Sequence, residues 1–545
     1  MLGYAEHSQM VLSRRELLEQ LRGFLLISSL GPLAYRTCKN SAFDSITQFR
    51  TALSVDTRAD EPPIIPRVQS AGFFNESWLT LGDKPPLIVA ASSASQVGEI
   101  AQVLVDELRL RFGITAVIEN ASQVRQKGAV ILGLKPSSTA KEISPESYSL
   151  NIGDNIEIRA YHPRGLLWGV QTFLQSIEIA KQKPVLRRGK IVDWPSFGWR
   201  ALLLDPARSF LDLDFLRRTI RVMSAYKLNI LHLHLIDDQA WRFESKVFPK
   251  LNRPGEPFYT QTELKELVTF AARYGVEIMP ELDFPGHAMT AVQAYPELDC
   301  EGKARPLNEA IFCGGKAFTW TFMEQVIAEA VTVFPAPYFH LGADEPFAIK
   351  RWATCPNCQA RMKLKGVTST AALYHTFVDD LNQLVKRHDK KLIVWNDAIQ
   401  PRVEPLPSKD ILIDAWFDLE KVRPLAQAGY TLINSSRRPL YLSSMGLHSG
   451  YPLETVWQWS ATTFGADHRQ PVEAGLTFEN LPGRVLGGQA SAWATEQSSL
   501  QPRLYPRLLA VAERLWSAVD KTDFANFQLR LAHHDMRLRQ LGVIE

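Results

Sequence analysis

Two acids stand side by side in the stretch YFHLGADEP, Tyr338 to Pro346, with an apolar run, Val331 to Phe334, just upstream. Asp344 and Glu345 gain nothing for stability there, since a desolvated carboxylate left unpaired costs several kcal/mol, roughly. They suit acid catalysis, in which a carboxylic acid of raised pKa protonates a leaving oxygen. Acids recur behind other apolar runs: Asp237 and Asp238 after ILHLHL, and Asp283 after EIMPEL, with His287 just beyond. So do tryptophans, with Trp395 closing KLIVW, Trp416 closing ILIDAW and Trp493 closing VLGGQASAW. Taken singly, Asp237 or Asp283 could cap a helix and His287 could be a satisfied core histidine. Together, acids and flat aromatic faces without a phosphate-binding glycine loop or a metal-ligand cluster fit glycoside hydrolysis.

The elements that must carry these groups are legible. Eight short apolar strands fall at 199–205, 230–235, 277–283, 338–345, 391–397, 411–416, 431–436 and 485–493, most of them separated by helical patterns. One helix starts at Asp212 with Leu216, Ile220 and Met223 on one face; another opens on a Thr260/Glu263 capping box and stops at Gly275. PRLLAVAERLWSA supplies a closing helix. That rhythm predicts a (β/α)8 barrel over residues 195–545, a fold whose working residues lie at the C-terminal ends of its strands. Residues 67–190 read as a small α+β domain, with strands in PLIVAA, GAVILGL, SYSLNI and IEIRAY and helices in SQVGEIAQVLVDELRLRFG and RGLLWGVQTFLQSIE. A polar, proline-bearing linker covers 39–66.

Composition narrows the function classes. The 545 residues are 46% hydrophobic and 22% charged, and a net charge of +3 is too mild for a nucleic-acid or membrane-surface protein. Thirteen tryptophans are about twice the number usual for this length; burial in the core accounts for about half, and sugar pockets use such flat faces. Residues 1–38 carry Arg14 and Arg15 ahead of an apolar stretch, Gly23 to Ala34, which reads as a twin-arginine-type export signal to the periplasm or exterior; a short amphipathic helix is the alternative. Five cysteines are too few for a disulfide scaffold. Cys300 and Cys313 could bridge a polar loop. Cys355 and Cys358 form a lone CxxC without the second ligand pair of a zinc site, so structural thiols or a local disulfide are expected, with no metal and no organic cofactor.

Several long motifs, YKLNILHLHLIDDQAWR, PELDFPGHA and FHLGADEP, with ESYSLNI and IEIRAYHPRGLLWGVQTFLQ in the smaller domain, resemble glycoside hydrolase family 20, the β-N-acetylhexosaminidases, over about residues 65–520. The resemblance implies a retaining reaction on glycans ending in GlcNAc or GalNAc, in which the substrate's own 2-acetamido oxygen is the nucleophile. By the same resemblance, Glu345 is the general acid and later the base, and Asp344 holds the acetamido N–H. Asp237 and His287 support the acid's proton traffic, and Arg200 binds ring hydroxyls. Trp395, Trp416 and Trp493 wall the sugar, and Tyr441 donates to the acetamido oxygen. Glu496 is the candidate for an outer-hydroxyl contact.

The chain departs from the family pattern at Ala201, at Ile236, at Ser443 in Tyr441-Leu442-Ser443, and in the three-residue step from Trp493 to Glu496. Those departures touch the grip on outer hydroxyls. They leave room for a 6-sulfated sugar, for release of a disaccharide such as lacto-N-biose, or for a binding protein that has lost turnover. A glycosidase with two protein carboxylates is a further class, needing a second carboxylate about 5 Å across the anomeric centre.

Overall fold

The computed structural model describes residues 63–81, 87–90, 95–119, 127–135, 144–417, 419–443, 451–464, 476–477, 485–517 and 523–544. The export-signal reading and most of the linker lie outside them.

The expected barrel is present. Strands Trp199–Leu204, Ile230–His234, Glu277–Glu281, Tyr338–His340, Lys391–Trp395, Leu412–Ala415, Thr431–Asn434 and Val485–Ala492 pair in parallel in that order. The eighth closes onto the first, from Gly487 opposite Trp199 to Ala492 opposite Leu204. Barrel strands are covered on both faces, so their sequences run apolar without alternation; Ala201, Leu202, Leu203 and Leu204 are all fully buried. The fourth strand is shorter than its sequence suggests. It stops at His340 because Gly342, Ala343 and Glu345 take left-handed backbone, with φ of 58°, 65° and 44°, which ends pairing.

The helices start where their caps dictate. The Asp212 carboxylate accepts the Phe215 N–H (2.6 Å) ahead of Leu213–Ala225. The capping box is made: Thr260 Oγ1 accepts from Glu263 N (3.1 Å) and Glu263 accepts from Thr260 N (2.8 Å). Between strands seven and eight an insertion adds a short strand, Tyr441–Ser443, beside the eighth.

The smaller domain is a mixed sheet covered by helices Ser95–Phe112 and Pro163–Ser176. Its long strands Ser70–Thr80 and Lys183–Asp193 were not expected from the sequence, because neither alternates cleanly. This domain seals the N-terminal end of the barrel with buried ions: Lys227 Nζ meets Asp193 Oδ2 (3.0 Å) and Arg200 meets Glu146 Oε2 (2.5 Å). The Arg200 guanidinium also lies over the Trp516 ring at 5.0 Å.

Candidate active site

Asp344 and Glu345 stand on a turn fixed by its neighbours. Asp283 Oδ1 accepts the Ala343 N–H (3.0 Å), His340 Nδ1 accepts the Gly342 N–H (3.0 Å), and Asp397 Oδ2 accepts the Glu345 N–H (2.8 Å). The Tyr374 hydroxyl donates to the Ala343 carbonyl (2.8 Å). Left-handed non-glycine residues cost about 1–2 kcal/mol each, and these bonds offset that cost. Gly342 must be glycine: a Cβ there would sit 2.0 Å from Asp283 Oδ1.

A chain of ionised groups runs behind the acids. His287 Nε2 lies 3.7 Å from both Asp344 Oδ2 and Glu345 Oε2, while its Nδ1 is 3.4 Å from Asp237 Oδ1. Asp237 continues to His234 Nε2 (2.8 Å) and Arg208 (2.6 Å), and His234 Nδ1 reaches Glu281 Oε2 (2.5 Å). Burial alone would neutralise the imidazoles, but Asp344, Asp237 and Glu345 raise His287 well above the usual histidine range. Glu281 and Asp237 do the same for His234. Burial works against the Asp237 carboxylate too, yet its bonds from His234 and His287 hold it well below the usual range. Asp344 differs. Burial pushes it up to about 7, against the pull of His287 and with help from Asp397. The Asp344 carboxyl shares a hydrogen bond with Asp283, and its buried Oδ1 receives no N–H, an acceptor still open to an N–H donor at the mouth of the barrel.

The expected aromatic residues assemble beside the acids. Ring centroids are 5.9 Å apart for Trp395 and Trp493, 6.0 Å for Tyr441 and Trp493, and 6.3 Å for Trp416 and Tyr441, the last pair nearly parallel at 11°. Trp395 is locked by donating to Glu281 Oε1 (2.8 Å), and Trp416 by donating to Asp397 Oδ1 (3.0 Å). Ser443 is buried and spends its hydroxyl on the Trp493 carbonyl (3.1 Å). Glu496 is exposed at the residue before helix Gln497–Leu504 and makes no cap bond with its side chain; the structure does not bring it into the group.

Arg200 requires correction. It is the second residue of the first strand, at the barrel's closed end, and its guanidinium is completely buried against Glu146 and the Phe197 and Lys227 carbonyls. It cannot reach a sugar at the mouth. Arg208, beyond the other end of that strand, is the arginine there: it contacts Asp205 (2.9 Å) and Asp237 and lies 5.4 Å over the Trp493 ring. Its sequence signal was its place in DPAR, directly after the strand. Asp397, His234, Glu281 and Tyr374 were also missed. A charged residue inside a doubly buried strand was the available signal for His234 and Glu281.

Among the described residues, three His/Asp/Glu trios are close enough to hold a cation: His232, Glu281 and His340; Asp237, Asp238 and His287; Asp283, His287 and Asp344. Each contains a member of the ion chain, Glu281 in the first, Asp237 and His287 in the second, His287 and Asp344 in the third. Both Glu281 oxygens already accept hydrogen bonds, and a protonated His287 offers no lone pair. The cysteines also depart from expectation. Cys300 and Cys313 are not joined to each other, and the CxxC is not alone, because all four thiols share one site.

A barrel with paired acids, an aromatic wall and an open carboxylate oxygen at its C-terminal rim has the make-up of a sugar-cleaving enzyme. The chain matches the family description "Glycosyl hydrolase family 20, catalytic domain" over residues 197–519 and "Glycosyl hydrolase family 20, domain 2" over 61–194. It belongs to glycosyl hydrolase family 20. A beta-hexosaminidase of Porphyromonas gingivalis is 31% identical over 83% of this chain, which spans about 60% of that relative's length. The beta-hexosaminidase subunit alpha of Rattus norvegicus is 30% identical, covering 73% of this chain and 76% of the relative. Among solved structures, the chitobiase of Flavobacterium johnsoniae superposes with a TM-score of 0.77 at 27% identity, over 90% of this chain and 74% of that one. Among the described residues, no helix is long and apolar enough to cross a membrane.

Proposed function

We propose that the protein is a retaining exo-β-N-acetylhexosaminidase that removes terminal β-linked GlcNAc or GalNAc from glycans, with the sugar's acetamido oxygen as nucleophile. The observation that carries this is the open Oδ1 of Asp344 beside the Trp395–Trp493–Tyr441 wall. An acetamido N–H is the donor such an oxygen lacks. Asp237 and Asp283, the acids on either side of His287, are poor nucleophiles. Asp237 is engaged by His234, Arg208 and His287, and burial together with Asp344 pushes Asp283 well up, toward the neutral acid.

In this reading Glu345 donates its proton to the glycosidic oxygen as the acetamido carbonyl attacks the anomeric carbon and the C–O bond breaks. Asp344 accepts the acetamido N–H, orients the group and balances the charge of the cyclic oxazolinium ion. The Tyr441 hydroxyl donates to the acetamido oxygen, pointing it at the anomeric carbon. Glu345, now a carboxylate, takes a proton from the water that opens the ring, so configuration is retained. His287, equidistant from both acids, supplies a fixed positive charge. Arg208 takes the hydroxyl-binding role first assigned to Arg200. The name of the Flavobacterium relative, a chitobiase, supports a β-linked N-acetylglucosamine substrate.

Ser443, buried where the family places a carboxylate, favours a second reading in which the outer sugar positions are open: a 6-sulfated GlcNAc or a released disaccharide. Hydrolysis of aryl β-glycosides of GlcNAc, GalNAc, 6-sulfo-GlcNAc, lacto-N-biose and glucose separates these. Turnover confined to N-acetylated sugars is expected; cleavage of the plain glucoside at a comparable rate contradicts the proposal. Export belongs to the proposal through Arg14 and Arg15 alone, and cell fractionation tests it.

A further inference from the structure

Four of the five cysteines converge on one spot outside the ion chain. Cys300 and Cys313 lie in the connection between barrel strands three and four, and Cys355 and Cys358 in the segment after strand four. Cys313 Sγ is 3.6 Å from the sulfurs of both Cys355 and Cys358, and Cys300 Sγ is 3.9 Å from that of Cys358. All four sulfurs are within 4.8 Å of one another. A disulfide needs about 2.05 Å and joins only two atoms. Zinc held by four thiolates at about 2.3 Å in a tetrahedron spaces its sulfurs by about 3.8 Å. The three contacts bracket that spacing.

The surrounding backbone is shaped to the same end. Cys355 occupies the N-cap position of helix Pro356–Lys365, its side chain making no cap bond, and Cys358 sits in the first turn, where the positive end of the helix dipole favours thiolates. The Gly315 N–H donates to the Cys313 sulfur. Gly315 must be glycine, since a Cβ there would sit 2.1 Å from the Asn357 backbone and 2.5 Å from Cys358 N. The two cysteine-bearing turns thus touch backbone to backbone. Trp352, completely buried and bonded to the Phe312 carbonyl (3.0 Å), packs on Gly314 and closes one side. Cys313, Cys355 and Cys358 are buried, and Cys300 is partly exposed.

We propose that Cys300, Cys313, Cys355 and Cys358 bind a structural zinc ion. Each thiol releases its proton to solvent as its Zn–S bond forms, giving a closed tetrathiolate with no position for water or substrate. The ion ties the loop carrying Asn308 and Ile311 to the segment carrying Glu345 to Ala348, and those residues line one cleft beside His287. Zinc thereby fixes the wall next to the proposed acid without touching the substrate. The pairs 300/313 and 355/358 supply each other's missing ligands.

The test is metal content and ligand shell of the full chain after dialysis against EDTA. One zinc per chain, released by an organic mercurial and showing four sulfur neighbours at about 2.3 Å in X-ray absorption, is expected. The double variant Cys355→Ser/Cys358→Ser should lose at least about tenfold in bound zinc. Cys300→Ser, which removes the partly exposed ligand, should lower retention against EDTA. If the variants do not fold, stoichiometry and ligand shell of the unaltered chain decide. Four free thiols that take up no added zinc, two disulfides in non-reducing peptide maps, or zinc bound through nitrogen or oxygen would each overturn the site.

Discussion

Asp397 Oδ2 accepts the backbone N–H of Glu345 at 2.8 Å, and its Oδ1 accepts the Trp416 indole N–H at 3.0 Å. One buried carboxylate therefore holds both the proposed acid and a wall of the aromatic pocket. Asn in its place can accept only one of these two bonds and turns an N–H₂ toward the other donor. Asp397→Asn should keep the fold and lower kcat by about 10–10²-fold, the effect of misplacing a catalytic group by a fraction of an ångström. Circular dichroism and steady-state kinetics on an aryl GlcNAc substrate check this.

Glu345→Gln removes the transferable proton while keeping the shape. Turnover of substrates with poor leaving groups should fall about 10²–10⁴-fold, and far less for a dinitrophenyl aglycone that needs no protonation. A leaving-group series run on the variant and the parent measures the difference. Equal losses across the series would assign Glu345 another role.

Burial raises Asp344 to about 7. The proposed chemistry needs its carboxylate, so kcat/KM should rise as pH increases through that value. Stability runs the other way. The folded chain holds this proton where the unfolded chain has released it, so stability falls as pH rises from the unfolded carboxylate's range toward about 7. Asp344→Asn should be inactive or nearly so, yet melt higher than the parent at about pH 8, by about 1–2 kcal/mol, with the gap closing near pH 4. Thermal melts at the two pH values read it directly.

Arg200, near the start of the first strand, and Arg208, beyond its other end, should separate cleanly in kinetics. Arg208→Ala should lower kcat/KM by about 10²-fold through lost charge-assisted bonds. Arg200→Met strips the buried Glu146 of its guanidinium and leaves it the Trp168 indole N–H (2.6 Å), costing about 3 kcal/mol of stability, while the protein that remains folded keeps its kcat/KM. Denaturant titrations and Michaelis–Menten analysis distinguish the two outcomes.

The contrast between those arginines shows what the sequence carried. The eight strands were readable because barrel strands are apolar on both faces, and the capping box at Thr260 and Glu263 because its spacing is local. Strand direction already implied that the residue after the strand, Arg208, faces the mouth and that Arg200 does not. The turn at 342–345 was not readable as a turn, since Ala343 and Glu345 adopt left-handed backbone only because Asp283, Asp397 and Tyr374 hold them there. The cysteine quartet was hidden for a related reason. Its two halves are apart in sequence, and only the parallel pairing of strands three and four brings the loops after them together.

The central claim is that the sugar's own amide attacks the anomeric carbon while Asp344 and Glu345 poise and protonate. Aryl β-glucosaminides carrying acetyl, fluoroacetyl, difluoroacetyl and trifluoroacetyl groups on the 2-nitrogen test it most directly, because fluorine weakens the carbonyl oxygen as a nucleophile with little change in size. The account predicts a steep fall in kcat with each added fluorine; rates that stay flat across the series would contradict it.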